Sequence, residues 1–371
     1  MNLTAKFVLT RTAWVVGIFV VLSALASLSS RLEARKDGAY RLRAALFING
    51  TLGDKSFFDS AAHGMQEVRR TLPVAVRVVE GGTDPTRWES ALADLADSGD
   101  YDVIVVGTFT MVPYVQKLAG QFPAARFIVF DAAVDYGRCR CGNVHSILFR
   151  QNEGAYLAGY LAADLVRKGL PGVARDSGLG VVGGMQFPVI EDYIVGFRAG
   201  AEAAAPGIHV ASQYANGFSD PAAGKEIARA QMEQGAAIVF HAAGASGQGV
   251  NEAASEAHRY AIGVDLDQYA LYQQSSPAKA AAIVTSVLKN VDVAIERAIA
   301  LQLQGKLAYG SVESLGLAEH GVSLARHSAV LAQLPAARLE RVDAIREDII
   351  AGRIRVPSAF GRRPGAGVGA T

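Results

Sequence analysis

Short apolar segments alternate with amphipathic ones along almost the whole chain, and this alternation limits the fold more than any other feature. Arg41–Asn49 (RLRAALFIN), Val74–Glu80 (VAVRVVE), Asp102–Gly107 (DVIVVG) and Arg126–Asp131 (RFIVFD) have the length and β-branched content of buried strands. Between them, Asp54–Thr71, Asp84–Ser98 and Met111–Gln121 carry helical periodicity. The order βαβαβαβ is the signature of a doubly wound parallel sheet. A loop over Gly137–Gly142 precedes a strand at Asn143–Phe149 and a helix at Glu153–Lys168.

The rhythm restarts after the Gly/Pro-punctuated stretch Gly169–Ser177. Strands are expected at Gly180–Gly183, Ile208–Tyr214, Ala236–His241 and Ala261–Val264, and Ala281–Thr285 is a short apolar run that leads into a helix. Helices are expected at Ile190–Ala205, Pro221–Gln234, Gly249–Tyr260 and from Thr285 to about Gln304. Two β segments (Ser311–Leu317 and Gly321–Leu324) and a helix from Pro335 to Ala351 complete the pattern. This reading predicts two α/β lobes. One takes residues 41–142 plus about 261–290, the other 143–260 plus about 291–330. A C-terminal helix follows over 331–356, and the tail 357–371 is expected to be disordered. A ligand would sit between the lobes, at the carboxyl ends of the strands.

Residues 1–30 read as a targeting segment. Lys6 and Arg11 precede a charge-free run from Thr12 to Ser30, and Ala24-Leu-Ala26 has the small-x-small form of a signal-peptidase site. A cleaved signal is the leading reading and an uncleaved anchor its rival, because the run nearly reaches spanning length. Either reading places the rest of the chain outside the cytoplasm, in the periplasm or at the cell surface. The balance of 36 Lys+Arg against 35 Asp+Glu argues against a nucleic-acid partner, which calls for a basic excess.

Catalytic and metal chemistry find little support. The seven histidines show no HxxxH or HExxH spacing, no G-x-S-x-G occurs, and neither a metal nor a cofactor is expected. His241, ending a buried-type strand, reads as a structural histidine. Gly178-Leu-Gly180-Val-Val-Gly183 fits G-x-G-x-x-G, but its valines lie within a strand, whereas a dinucleotide fingerprint opens a helix. Gly244-Ala-Ser-Gly247-Gln-Gly249 is better placed, between a strand and a helix. It suits either backbone N–H contact with a ligand or close packing. Cys139-Arg-Cys141 suits a tight disulfide in an oxidising compartment, a soft-metal site or two cysteines in a loop. Asp265 and Asp267, two apart after a strand, suit acid/base work, helix capping or acceptance of ligand hydroxyls.

Asp54-Lys-Ser-Phe57 resembles the opening motif of the basic membrane protein family, the substrate-binding proteins of ABC transporters that include purine nucleoside receptors. Further matches run in order: Asn143-Val-His-Ser146, Glu153-Gly-Ala-Tyr-Leu-Ala-Gly159, Val182-Gly-Gly-Met185, Gly196-Phe-Arg-Ala-Gly200, Phe218-Ser-Asp-Pro221, Val239-Phe-His-Ala-Ala-Gly244 and Ile262-Gly-Val-Asp-Leu-Asp-Gln268. The series extends to Thr285-Ser-Val-Leu-Lys289 and Ile350-Ala-Gly-Arg-Ile-Arg-Val-Pro357, covering roughly Leu42 to Pro357. The resemblance implies a two-lobed type I periplasmic-binding-protein fold, each lobe a doubly wound, mostly parallel sheet, closing around a hinge on a small molecule and docking on an ABC permease. Carried over by motif, Phe57 and Phe218 would stack on a nucleobase, Asp265 and Lys289 would hold the ribose, and Gly244 would bring backbone close to the ligand.

Two departures bear on the ligand. The family's SFNQ reads Ser56-Phe57-Phe58-Asp59 here, which puts Phe58 in place of an amide and leaves Asp59 as a substitute polar group. The aspartate that meets the base falls at Pro113, and the first strand-end aspartate is Asn49. A solute-binding protein for a nucleoside-like ligand is therefore the leading function. The rivals are a membrane-anchored sensor with the same lobes, or an exported nucleoside-processing enzyme using Asp265 or Asp267.

Overall fold

The computed structural model describes residues 40–360. The expected targeting segment and residues 361–371 of the tail lie outside the described residues. Among the described residues no helix is long and apolar enough to cross a membrane.

Two six-stranded sheets organise the chain. The first contains β1 (Leu42–Ile48), β2 (Val74–Glu80), β3 (Val103–Gly107), β4 (Phe127–Phe130), β5 (Val144–Phe149) and β11 (Ser311–Leu315) in the order β2-β1-β3-β4-β5-β11, every pair parallel. The second contains β6 (Gly178–Gly183), β7 (Val210–Tyr214), β8 (Ala236–Ala242), β9 (Tyr260–Asp265), β10 (Ile283–Lys289) and β12 (Val322–Leu324). Its order, β7-β6-β8-β9-β10-β12, repeats that of the first, and only β12 runs antiparallel. Central strands such as VIVVG and FIVF are buried throughout, as parallel strands covered by helices on both faces must be.

The covering helices are α1 (Phe57–Thr71), α2 (Trp88–Asp97), α3 (Val112–Gln121) and α10 (Val291–Leu303) around the first sheet. Around the second lie α4 (Gln151–Lys168), α5 (Pro188–Ala204), α6 (Pro221–Glu233), α7 (Ser246–Glu256) and the short α8 (Gln268–Tyr272) and α9 (Pro277–Ala281). The last helix, α11 (Ala336–Ile350), packs on α4.

The sheets sort five segments differently from the sequence-based boundaries. β5 belongs to the first lobe, and β9 and β10 to the second. α10 packs on α1 and β11 joins β5, so both lie in the first lobe rather than the second. The misleading segment is the helix-free connection from β4 to β5, which reads as an interdomain linker. It is instead tied to its own lobe, where the Asn143 side-chain amide donates to the carbonyls of Ala119, Phe122 and Ala125. Cys139 and Cys141 in this connection are disulfide-bonded.

The chain therefore crosses between lobes three times, at Arg150, at Asn290 and between β11 and β12. Arg150 N–H donates to Leu315 O, and its guanidinium reaches Glu153 (2.6 Å), Glu319 (2.5 Å) and Ser314 O (2.8 Å). The Asn290 amide donates to His320 O at 2.7 Å. One polar cluster thus ties all three crossings together.

The beginning of the tail is ordered, contrary to expectation. Asn152 donates to Pro357 O (3.0 Å), while Ser358 Oγ and Ala359 N–H donate to the buried carboxylate of Asp192. A buried carboxylate needs such donors, and they fix the chain as far as residue 359.

Candidate functional site

The carboxyl ends of the two sheets face each other. Each sheet switches direction between its first and third strands, β1/β3 and β6/β8, and the loops after those ends form a cleft. The matching strand orders also place Asp131, just after β4, and Asp265, at the end of β9, in equivalent positions of the two lobes. Both adopt left-handed backbone, φ 60° and 64°. Aspartate tolerates this conformation better than branched residues do, and both carboxylates are buried.

Lys289, at the end of β10, is 2% exposed and places Nζ 2.6 Å from Asp131 Oδ1. Its ammonium also lies 5.7 Å from the centre of the Phe57 ring, 5.6 Å from Phe149 and 5.1 Å from Tyr193. Aromatic faces stabilise a cation withdrawn from water. Ser56 Oγ donates to Asp265 Oδ2 in a short bond across the cleft. Burial pushes the Asp265 carboxyl up to about 6, against the opposing pull of Lys289 and the Ser56 hydroxyl. Burial likewise raises Asp131, although Lys289 opposes it. The cleft floor sets two carboxyl groups beside a single ammonium, an environment that favours hydroxyl and N–H donors over anions.

The other sequence-derived candidates are distributed around this floor. Phe57, the first residue of α1, packs at 5.3 Å against Phe130 and edge-on to Phe58 at 5.5 Å. Phe58 turns onto Gly50. Asp59 accepts from the N–H groups of Gly53 and Lys55, both at 2.8 Å, so its oxygens brace the loop before α1. Asp54 does the same for Ser56, Phe58 and Asp59. Phe218 lies between β7 and α6, against Gly184 and beside Gly244. Pro113 is exposed near the start of α3, and Asn49 donates instead to the hydroxyls of Thr108 (3.1 Å) and Thr110 (2.9 Å).

Phe57, Asp265 and Lys289 thus converge, with Phe218 and Gly244 on the second lobe's wall. Asp267 does not join them: it caps α8 by accepting from Ala270 N–H, the capping alternative for that residue. The glycine-rich turn after β8 packs closely, since Gly247 lies so near the His241 ring that a Cβ would collide with it. His241 is buried between β8 and α7, and burial lowers it to about 4, leaving it neutral. Asp131 was missed by the sequence reading. Its signal was the shared form of the strands ending in VFD and GVD, each closing on aspartate at the same step of its lobe.

Comparison with known proteins bears on the family and the fold. A model of the Bmp family, described as ABC transporter substrate-binding protein PnrA-like, matches residues 41–359. The chain belongs to the Bmp family. Basic membrane protein A of Borreliella burgdorferi is 29% identical over 321 residues, covering 85% of this chain and 88% of that protein. The CD4+ T-cell-stimulating antigen of Listeria monocytogenes is 28% identical over 325 residues, covering 83% and 85%. Among solved structures, an ABC transporter system solute-binding protein from Aeropyrum pernix superposes with a TM-score of 0.72 at 28% identity, covering 85% of this chain and 93% of that one. A carbohydrate transporter solute-binding protein from Agrobacterium radiobacter, in complex with D-arabinose, shares the fold at a TM-score of 0.59 and 17% identity, covering 81% and 98%. This Bmp protein is therefore a two-lobed α/β protein of the ABC-transporter substrate-binding family.

Proposed function

We propose that this Bmp protein is the extracytoplasmic receptor of an ABC uptake system and that its ligand is a nucleoside. The observation that carries the reading is the convergence of Phe57, Asp265 and Lys289 at the mouth of both sheets, with Asp131 paired to the lysine. A ribose presents vicinal hydroxyls, and a buried carboxylate accepts two such donors in charge-assisted bonds. Aromatic faces suit a base, each stacking contact contributing about 1–3 kcal/mol. Phe57 offers one face and Phe218 is the second platform, with Gly244 allowing backbone approach beside it. Phe58 and Asp59 shape the loop rather than touch the ligand. Lys289 holds Asp131 and donates to the sugar. The protein binds and releases its ligand unchanged, handing it to a permease when the lobes open.

Titration calorimetry of the full chain with inosine, adenosine, hypoxanthine, D-ribose and D-arabinose tests this. Nucleoside binding that greatly exceeds binding of the bare base or pentose, and that is lost in Asp265→Ala, is the expected result. Preference for a pentose, or heat from none of the nucleosides, would sink the assignment.

A further inference from the structure

A second set of contacts, separate from the floor of the cleft, joins the two lobes. The loop Gly53–Ser56 of the first lobe lies against two amide side chains of the second. Gln248, in the first turn of α7, donates from Nε2 to Asp54 O at 3.0 Å. Gln268, the first residue of α8, donates from Nε2 to the next carbonyl, Lys55 O, at 2.9 Å. The Lys55 ammonium lies 5.3 Å from the centre of the Tyr272 ring, also in the second lobe.

Gln268 is built to hold this position. It is 2% exposed, and its backbone N–H donates to Ser286 Oγ at 3.0 Å. Its Nε2 also donates to Val264 O at 3.2 Å, and its Oε1 faces the Asn251 amide at 3.4 Å. Gly263 leaves the space its aliphatic stem occupies, for a Cβ there would collide with Gln268 Cγ. The loop is prepared from its own side as well. Asp54 and Asp59 together accept from three of its backbone N–H groups, at Gly53, Lys55 and Ser56, and Asp54 from two more in the first turn of α1, leaving the carbonyls of residues 54 and 55 turned towards the second lobe.

We propose that Gln248 and Gln268 are positioning residues that latch the lobes shut by gripping the successive carbonyls of Asp54 and Lys55. The latch consists of neutral amides and backbone carbonyls alone, so it holds a closed population whether or not the cleft is filled. It sets the release rate of the ligand without choosing its identity. It also carries Ser56 and Phe57, the residues following the gripped carbonyls, to the cleft floor. The proposal deepens the receptor reading and rests on it for the ligand, while its ligand-free consequence stands apart from the nucleoside assignment.

The test uses the full chain, the single variant Gln248→Glu and the double variant Gln248→Ala/Gln268→Leu. Gln248→Glu keeps the shape of a half-buried side chain and replaces the donor with a carboxylate that repels the Asp54 carbonyl, so it carries the test even if the double variant fails to fold. Small-angle scattering of the ligand-free proteins is expected to give a larger radius of gyration for each variant than for the unaltered chain. With inosine as probe, surface plasmon resonance is expected to show release about tenfold faster and association within about twofold, since loss of a donor acts on the closed state. An unchanged ligand-free radius of gyration overturns the latch, even if inosine binds all three proteins equally well. A larger radius with no inosine binding by the unaltered chain upholds the latch and removes the nucleoside.

Discussion

Lys289 and Asp131 meet 2.6 Å apart although they belong to different sheets, 158 positions apart in sequence. Lys289 is the only cation placed against Asp131 by a salt bridge among the described residues, and both side chains are almost fully withdrawn from water. Removing one partner leaves the other as an uncompensated buried charge. Asp131→Ala is expected to destabilise the protein by about 3 kcal/mol in urea unfolding. Asp131→Ala combined with Lys289→Met should recover part of that loss. Strictly additive costs would mean that the pair does not act as a unit.

The pH dependence follows from Asp265. Its carboxyl, raised by burial to about 6, binds its proton more tightly folded than unfolded. Between its ordinary value and about 6 the folded state therefore holds more protons, so this group's contribution to stability falls as pH rises through that window and levels off above it. Asp265→Asn should flatten the corresponding slope in a series of thermal melts. Nucleoside affinity should move the opposite way, rising as pH increases through about 6, because only the carboxylate accepts both ribose hydroxyls. Affinity independent of pH from 5 to 7.5 would count against Asp265 as the sugar-holding group.

Ligand charge gives a third expectation. Asp131 and Asp265 share one ammonium, that of Lys289, so among the described residues no second cation offsets the cost of burying a phosphate beside them. Adenosine is expected to bind at least about a hundredfold more tightly than its 5′-monophosphate, by competition calorimetry. Equal affinity would show that the phosphate lies outside this field, and the orientation proposed for the ribose would then be wrong.

A fourth concerns the hinge. Arg150 ties β11 to the start of α4 through Leu315 O, Ser314 O, Glu153 and Glu319. Its side chain is part-exposed, so Arg150→Ala should change global stability by no more than about 1 kcal/mol. Hydrogen exchange in residues 314–321 should nonetheless accelerate, since the crossing segments lose their common tie. Unchanged exchange there would mean that the three crossings are held by backbone contacts alone.

Much of this molecule can be read directly from the chain. Runs such as DVIVVG and RFIVFD are too apolar and β-branched to be anything but buried parallel strands, and they lie where expected. The glycines of GLGVVG fall within β6, so the apparent nucleotide fingerprint is a strand, as their spacing around two valines predicted. Site residues were harder to read. Asp265 and Asp267 look equivalent in sequence, yet left-handed backbone at Asp265 turns one carboxylate to Ser56 while the other caps α8. Asp59 looks free to meet a ligand, but two loop N–H groups occupy it.

Hydrophobic period and local turn chemistry act over a few residues, so the sequence by itself determined the elements, their α/β order and the family motifs. Sheet membership is a long-range choice. β5 pairs with both β4 and β11, the latter more than 160 residues away, and no local pattern encodes that pairing. Tertiary structure alone decided where the chain crosses between lobes, that Asp131 meets Lys289, and that Gln248 and Gln268 face the carbonyls of Asp54 and Lys55. Each of these depends on bringing strand ends from two sheets within hydrogen-bonding distance, which only the folded packing of the lobes can do.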